Sequence, residues 1–453
     1  MTAHDQLQSL VDDFGDEHHC PSVAWGLVVD GEIVAGDGLD TVYRIASMTK
    51  SFTCAAVLAL RDEGTLVLDR PVADYAPELA GIVGPAGSPP ITLRHLMSMQ
   101  AGLATDDPWA DRHLDISTDD IDVVYRDGVV FAMPTGTGYE YSNLGFGMIG
   151  RVVWRATGVR VQDHITRRFL QPLGMTDSTW TEPQHQRWAR PFRVQDGVSV
   201  PDPHHPIGDG EIAPMGGLWT TVRDLARWIS FLSAAHDVAT MSAHDDLLST
   251  ASRREMQMAH THIGRSTLAG RSGSAGYGFG LRTFDDDDLG MNFAHSGGVP
   301  GYGTNMRWLH GARWTQHLGA IALANTTYAP TAHLTMRLLA DVSDTLTRRT
   351  IESPMLIERA RQLVDLLQHW NDDAARALFA DNVELDESFA RRRAEAATLI
   401  GAEGSLDITT VVADTATRGT VHVSGDQAHF SISLQLAPLA HAPVQWYEVS
   451  ERR

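Results

Sequence analysis

Residues 41–64, TVYRIASMTKSFTCAAVLALRDEG, carry the pattern of a helix that begins beside Ser47. Gly64 then supplies a helix stop. The apolar residues after Ser47 recur at helical spacing and share one face: Phe52, Ala55, Ala56, Ala59 and Leu60. The pattern therefore predicts a helix with a hydroxyl group at or next to its N-terminal end.

Lys50 is the only lysine of the chain, beside 35 arginines. A lysine amine can lose its proton near neutral pH when it is desolvated, whereas a guanidinium cannot. Ser47 and Lys50 are three residues apart, so a helix places them one turn apart on the same face. Because a serine hydroxyl becomes a good nucleophile only when a base takes its proton, the pair predicts nucleophilic catalysis.

Two further motifs could contribute to the same chemistry. Tyr141-Ser142-Asn143 follows a loop and precedes an apolar helix, and His295-Ser296-Gly297-Gly298 lies on a predicted strand. Glycines in a strand let another backbone, such as that of a substrate, approach closely. Taken separately, each motif is also compatible with a structural role: a packed tyrosine, a helix-capping asparagine, or a turn.

The rest of the first 350 residues predicts strands and helices around this centre. A helix is expected over residues 5–18, followed by two strands around the turn Asp30-Gly31. Residues 70–270 predict a mostly helical region with long loops. From Tyr277 onward, strand-like runs with short connections favour an antiparallel meander, and a closing helix follows from Thr331.

A second, smaller domain is predicted after Ser353-Pro354. We assign residues 1–350 to the first domain and residues 354–453 to the second. The second begins with helical patterns and ends with four strand-like runs, which indicates a small α+β domain.

Composition excludes several classes of protein. The chain has 453 residues and a net charge of −21, which disfavours nucleic acid and anionic membranes as partners. No apolar stretch approaches the ~20 residues of a membrane helix, and the first twenty residues lack the pattern of a secretory signal. We therefore expect a cytoplasmic protein in which Cys20 and Cys54 are thiols, with no metal and no cofactor.

The three motifs together resemble those of the class C β-lactamase-like superfamily of penicillin-recognising serine hydrolases, which includes D-alanyl-D-alanine carboxypeptidases, D-aminopeptidases and family VIII-type esterases. The phrases ITLRHLMSMQAGL, QPLGMTDSTW, GGLWTTVRDLARW and AHSGGVPGYGT extend the resemblance over about residues 10–348. It implies an α/β (α+β) fold, with an antiparallel sheet flanked by helices, an all-helical subdomain and a cleft between them.

The resemblance also implies roles for individual residues. Ser47 would be the acylated nucleophile, Lys50 its base and Tyr141 the proton shuttle to the leaving group. Asn143, His295, Gly297 and Gly298 would bind substrate, and the amides of Ser47 and Gly298 would hold the oxyanion. His295 stands where the lactamases carry a cationic lysine, so it would hold a substrate carboxylate less firmly.

We therefore expect a serine hydrolase that forms an acyl-enzyme on a small carboxylic ester or amide, or on a D-amino-acid derivative. The alternatives are a β-lactamase or a D-stereospecific peptidase and, from another class, a penicillin-binding-like sensor that acylates without turnover. The second domain looks like the nuclear-transport-factor-2-like modules, and a homodimer is the assembly we expect of it.

Overall fold

The computed structural model describes residues 3–184, 187–203, 208–237, 239–310, 314–343, 347, 353–400 and 405–452. The chain divides into two compact units, Met1–Thr347 and Arg348–Arg453. Residues 348–352, next to the predicted domain boundary, lie outside the described ranges.

The first unit alternates between strands and helices. In chain order its elements are α1 (Ala3–Glu17), β1 (Val23–Val29), β2 (Glu32–Asp37), β3 (Tyr43–Arg44), α2 (Thr49–Asp62), α3 (Leu93–Met97), α4 (Asp107–Ala110), α5 (Thr118–Asp127), α6 (Leu144–Thr157), α7 (Val161–Ile165), β4 (Phe192–Gln195), β5 (Val198–Pro201), β6 (Trp219–Thr220), α8 (Val222–Ser233), α9 (Thr250–Met256), β7 (Thr261–Leu268), β8 (Arg271–Tyr277), β9 (Arg282–Asp286), β10 (Gly290–Val299), β11 (Tyr302–Leu309), β12 (Leu318–Ala324) and α10 (Thr331–Ser343).

Eight of the described strands form one antiparallel sheet, in the order β2-β1-β12-β11-β10-β9-β8-β7. The sheet is covered by helices on both faces. In β12, Ile321 and Leu323 belong to the same hydrophobic core as the buried residues of α8. Ala320 and Ala322 belong to a second core, together with residues of α1 and α10. This alternation follows from the two-residue period of a strand. The predicted fold class, an antiparallel sheet flanked by helices, is confirmed.

Helix α2 is buried on every side, because all of its residues from Thr49 to Leu60 are shielded from solvent. The sequence pattern predicted a single apolar face. The polar residues of the helix are buried because each finds a partner: Thr53 Oγ1 donates to Pro214 O at 2.7 Å, and Ser51 Oγ accepts from Trp228 Nε1 at 3.0 Å. Hydrogen bonds of this kind offset the cost of removing hydroxyl groups from water.

Residues 93–165 hold five α-helices, α3 to α7, and no strand. The predicted helical region extended to residue 270, and this limit was wrong. Strand β7 begins at Thr261 and lies at the edge of the sheet, where most of its side chains are exposed. Its sequence THIGRSTL is accordingly polar and lacks the apolar alternation of a half-buried strand.

The second unit has its own core. Its elements are α11 (Pro354–Gln368), α12 (Asp372–Leu378), α13 (Asn382–Asp386), α14 (Phe389–Leu399), β13 (Asp407–Thr415), β14 (Arg418–Ser424), β15 (His429–Leu436) and β16 (Val444–Arg452). The four strands form an antiparallel sheet in sequence order. Leu363 and Leu367 of α11 pack with Val421 and Ile432 of the sheet. The predicted small α+β fold is confirmed.

No described helix is long and apolar enough to cross a lipid bilayer. Both cysteines are free thiols; Cys54 is buried and Cys20 is partly exposed.

Candidate active site

A short turn before α2 fixes the position of Ser47. The turn is a single 3-10 turn over Ala46–Met48, and Ala46 has a φ of +48°, which L-residues rarely adopt. Two hydrogen bonds hold this turn: Ile45 N–H donates to the O atom of Leu218, just before β6, and Ile45 O accepts from Thr304 Oγ1 of β11 at 3.0 Å. Such a conformation persists where surrounding structure enforces it, and it places Ser47 at the start of the helix.

Lys50 is the second residue of α2, one turn after Ser47, and is fully buried with its amine beside the serine hydroxyl. Lys50 Nζ is 2.9 Å from Ser47 Oγ, 2.7 Å from Asn143 Oδ1 and 3.0 Å from Met215 O. A protonated amine has three hydrogens, so these three oxygens satisfy it completely. After loss of one proton, the amine can donate to Asn143 and Met215 and accept from the Ser47 hydroxyl.

Burial lowers the pKa of Lys50 from its usual 10.5 to about 8. Desolvation is the main cause because it disfavours the charged form. The negative charges of Asp107, Asp111 and Asp106 oppose this effect and raise the pKa. The amine therefore titrates close to neutral pH.

The Tyr141 side chain lies next to that of Ser47, and its ring lies 4.9 Å from Lys50 Nζ. Burial, together with the charge of Asp107, raises the pKa of Tyr141 well above 10. The tyrosine thus keeps its proton under conditions in which Lys50 begins to lose one. Of the two groups next to the serine side chain, Lys50 is therefore the one whose unprotonated form is available as a base near neutral pH, and Tyr141 is the one that still carries its proton.

Asn143 is fully buried, and both ends of its side chain amide are occupied. Its Oδ1 accepts from Lys50, and its Nδ2 donates to Asp107 Oδ1 at 2.6 Å. The asparagine does not cap α6 through its side chain. Asp106 takes that place, because its carboxylate accepts the backbone N–H groups of Asn143 and Leu144 at 2.8 Å each.

His295 is buried on β10, with both ring nitrogens engaged. Nδ1 lies 2.5 Å from Ser296 O and Nε2 lies 3.0 Å from the Tyr277 hydroxyl. A carbonyl can only accept, so we assign the proton to Nδ1 and leave Nε2 to accept from Tyr277. Burial, with the nearby charge of Lys50, lowers the pKa of His295 to about 3. The ring is therefore neutral at physiological pH.

The two glycines after His295 allow β10 to approach the turn that holds Ser47. A Cβ atom on Gly297 would lie 2.0 Å from Ile45 O and 2.5 Å from Thr304 Oγ1. A Cβ atom on Gly298 would lie 2.7 Å from the ring of Tyr328. Only glycine fits at position 297 without moving backbone.

A cavity of about 310 Å³ opens onto Ser47. Of the residues predicted from the sequence, Ser47, Tyr141, His295 and Gly298 line it. Lys50 and Asn143 lie behind this surface, and Gly297 contributes the close packing of β10. The other polar or charged side chains of the wall are Ser296, Thr105, Asp107, Asp111, Tyr139, Glu140, Arg282 and Tyr328.

The sequence did not indicate several of these residues. Asp111, Arg282 and Tyr328 belong to none of the three motifs, because they come from the turn after α4, the start of β9 and the turn after β12. Asp106 and Asp107 lie in the loop after ITLRHLMSM, which the sequence indicated as a candidate wall of the cleft, and Asp107 does line the cavity; their contacts with Asn143 were not predicted, because the residues are distant in sequence.

A larger cavity of about 440 Å³ lies elsewhere on the first unit. Its two hydroxyl side chains are hydrogen-bonded to carboxylates: Ser117 donates to Asp120, and Thr118 donates to Glu211. Within the described ranges, no group of three or more His, Cys, Asp or Glu side chains is arranged to hold a metal ion. The cavity at Ser47 is therefore the better candidate site.

A family model described as Beta-lactamase matches residues 7–343. Beta-lactamase-like protein 2 of Dictyostelium discoideum is 30% identical over 203 residues, which cover 43% of this chain and 36% of that protein. Esterase EstB of Burkholderia gladioli is 26% identical over 327 residues, 64% of this chain and 78% of the esterase. The D-alanyl-D-alanine-carboxypeptidase/endopeptidase AmpH of Escherichia coli K12 is 29% identical over 194 residues, 42% of this chain and 49% of AmpH. The match therefore spans about a third of the Dictyostelium protein and about half of AmpH.

The octameric penicillin-binding protein homologue from Pyrococcus abyssi has a similar solved structure, with a TM-score of 0.62 and 20% identity. The superposition covers 99% of this chain and 96% of that chain. At this level of identity the likeness concerns the fold.

Proposed function

The chain belongs to the beta-lactamase family, and from this premise we propose that it is a serine hydrolase that forms an acyl-enzyme on Ser47. The substrate class is a small carboxylic ester or amide. One observation carries the proposal: a buried amine with a pKa lowered to about 8 lies 2.9 Å from the serine oxygen. A serine so placed is activated without a metal or a cofactor.

In the first half of the reaction, Ser47 Oγ attacks the acyl carbon while its proton passes to the neutral amine of Lys50. The oxyanion that forms accepts from the backbone N–H groups of Ser47 and Gly298, whose residues both line the cavity. The hydroxyl of Tyr141 then gives its proton to the leaving group as the tetrahedral intermediate collapses. Protonated Lys50 restores that proton, which leaves an acyl ester on Ser47 and an unprotonated base.

Hydrolysis of the ester reverses these roles. Lys50 removes a proton from water, the hydroxide attacks the acyl carbon, and Ser47 leaves with a proton from the same relay. Asn143 acts as a positioning residue, because Lys50 and Asp107 hold its amide at both ends.

Burst kinetics with p-nitrophenyl acetate test this mechanism. We expect an initial release of about one p-nitrophenol per enzyme if deacylation is slow, and Ser47→Ala should lose turnover by roughly a thousandfold or more. Lys50→Arg should be almost as damaging, although it keeps the charge, since a guanidinium does not accept a proton at neutral pH. Arg126→Lys is the matched control for Lys50→Arg. Its side chain is exposed, and the exchange should leave turnover unchanged. Full activity in Ser47→Ala would overturn the proposal.

The main rival within the family is a β-lactamase or D-stereospecific peptidase, in keeping with the name of AmpH. The neutral His295 favours an ester or amide over a β-lactam, since it provides no fixed positive charge for a carboxylate. Parallel assays with nitrocefin, D-alanine p-nitroanilide and short p-nitrophenyl esters separate these activities. A labelled-penicillin adduct that persists for hours would instead favour the non-turnover sensor.

For the whole chain we propose two domains, 1–350 and 354–453, with the second serving in homodimer formation. Its separate core supports this division, and the solved relative with the same fold is octameric. Its likeness to the nuclear-transport-factor-2-like modules and the cytoplasmic location both stay predictions, the latter to be tested by fractionation of the native host.

A further inference from the structure

The hydroxyl of Thr304 connects the two backbone segments that carry the proposed oxyanion donors. Thr304 lies on β11 and is fully shielded from solvent. Its Oγ1 donates to Ile45 O, just before the turn that holds Ser47, at 3.0 Å, and lies 3.3 Å from Gly297 O on β10. A hydroxyl has one proton, so the two carbonyl oxygens share it. The proposed mechanism gives this hydroxyl no role.

The carbonyl of Gly297 belongs to the same peptide unit as the N–H of Gly298, one of the two proposed donors. In a trans peptide unit these two groups point in opposite directions. Gly297 is paired with Thr304 of β11, and its oxygen lies on that side, so the N–H of Gly298 points to the other edge of β10. Among the described strands, β9 pairs with that edge only from Gly290 to Ala294, so Gly298 lies beyond the paired region.

The second donor, the N–H of Ser47, lies in the turn on the other side of the Thr304 hydroxyl. Ala46, between Ile45 and Ser47, has a φ of +48°, a conformation that persists only where its surroundings hold it. Within the turn, Ile45 O accepts from Met48 N–H at the long distance of 3.3 Å. The hydrogen bond from Thr304 is shorter and ties the same oxygen to the sheet.

The packing at this point is close. A Cβ atom on Gly297 would lie 2.0 Å from Ile45 O and 2.5 Å from Thr304 Oγ1, so the three groups already meet without free space. In a close-packed interior, a displacement of one carbonyl group is passed on to its neighbours. The separation of the two donors therefore depends on this contact.

We propose that Thr304 is a positioning residue for the oxyanion. Its hydroxyl sets the separation of the two N–H donors, because it holds a peptide group next to each of them. The inference rests on the proposed serine hydrolase function and adds to it a residue that does not line the cavity. Donors held in place stabilise the negative oxygen of the tetrahedral intermediate, so their placement affects this state more than the bound ester.

Two esters that differ in one atom test the inference. In p-nitrophenyl thionoacetate, sulfur replaces the carbonyl oxygen of p-nitrophenyl acetate, and sulfur is the weaker hydrogen-bond acceptor. We expect the full-length wild type to favour the oxygen ester in kcat/KM by more than hydroxide ion does. In Thr304→Val, which keeps the shape of the side chain, this preference should fall by about fivefold or more. Thr304→Ser, which keeps the hydroxyl, should return it to within about twofold of the wild type.

The preference is a ratio measured within each variant, so it does not depend on the fraction of folded enzyme. Thr304→Ala also removes the hydroxyl, adds no bulk, and should lower the ratio as Thr304→Val does. Thr261→Val is the matched control, because the buried Thr261 hydroxyl donates to a backbone oxygen, that of Ser98 at 2.8 Å, outside the cavity wall. It should keep the wild-type ratio.

A wild-type ratio no larger than that of hydroxide ion would overturn the inference. So would an unchanged ratio in Thr304→Val and Thr304→Ala, even if both esters react more slowly, since a defect in folding or in the base slows the two esters alike. Absence of a Ser47-dependent burst in the wild type would instead overturn the proposed function, so the two failures are distinguishable.

Discussion

Asp107 gives a test of the electrostatics around Lys50 at the residue scale. Since acylation requires the neutral amine, kcat/KM for p-nitrophenyl acetate should rise with pH through the pKa of Lys50, near 8, and then level off. The charge of Asp107 raises that pKa, so Asp107→Asn should move the midpoint of the rise to lower pH. The other charged groups that act on Lys50, Asp106 and Asp111, stay in place in this variant. A midpoint that stays the same or moves upward would contradict this assignment.

Single residues also show what sequence can and cannot predict about the site. Lys50 stood out because it is the only lysine, and its spacing from Ser47 is local, so one helical turn sufficed to bring the two together. Asn143 was predicted as a site residue, but its hydrogen bonds to Lys50 and Asp107 were not. Those contacts bring together residues that are distant in sequence, and no local spacing predicts them.

At the scale of elements, the site depends on the close contact between β10 and the turn before α2. Gly297→Ala places a methyl group 2.0 Å from the backbone oxygen of Ile45, so either β10 or the turn must move. We expect a loss of activity of tenfold or more and a destabilisation of about 1–3 kcal/mol, the usual cost of overpacking. Thermal unfolding and burst amplitude measure the two effects.

Gly81→Ala is the control for this prediction. Its added methyl group meets no atom within 4 Å, and its φ is not in the left-handed region. This variant should keep its activity and its melting temperature. Wild-type stability and activity in Gly297→Ala would show that the contact is not rigid.

The elements differ in how far the sequence predicted them. The hairpin of β1 and β2 and the helices α1, α2 and α10 follow from local patterns and were found close to the expected residues. Strand β7 was not predicted because its sequence is largely polar. It lies at the edge of the sheet, where it is hydrogen-bonded to β8. The order of the sheet, with β1 next to β12, involves residues nearly 300 positions apart and has no local signal.

For the whole molecule, the separate cores of the two units lead to a prediction about assembly. A chain that ends after residue 349 should fold, because the core of the second unit contributes no residue to the cores of the first. We expect it to keep the burst with p-nitrophenyl acetate and to elute as a smaller species, relative to its mass, than the full chain. Light scattering coupled to size exclusion measures this. An unchanged oligomeric state would contradict the proposed role of the second domain in assembly.

The central claim is that Ser47 becomes acylated because Lys50 takes its proton. The most direct measurement is mass spectrometry of peptides from the full chain after reaction with a fluorophosphonate. We predict one added group, located on Ser47, with labelling lost in Ser47→Ala and strongly slowed in Lys50→Arg. A label on any other side chain, or equal labelling of the wild type and Ser47→Ala, would contradict the account.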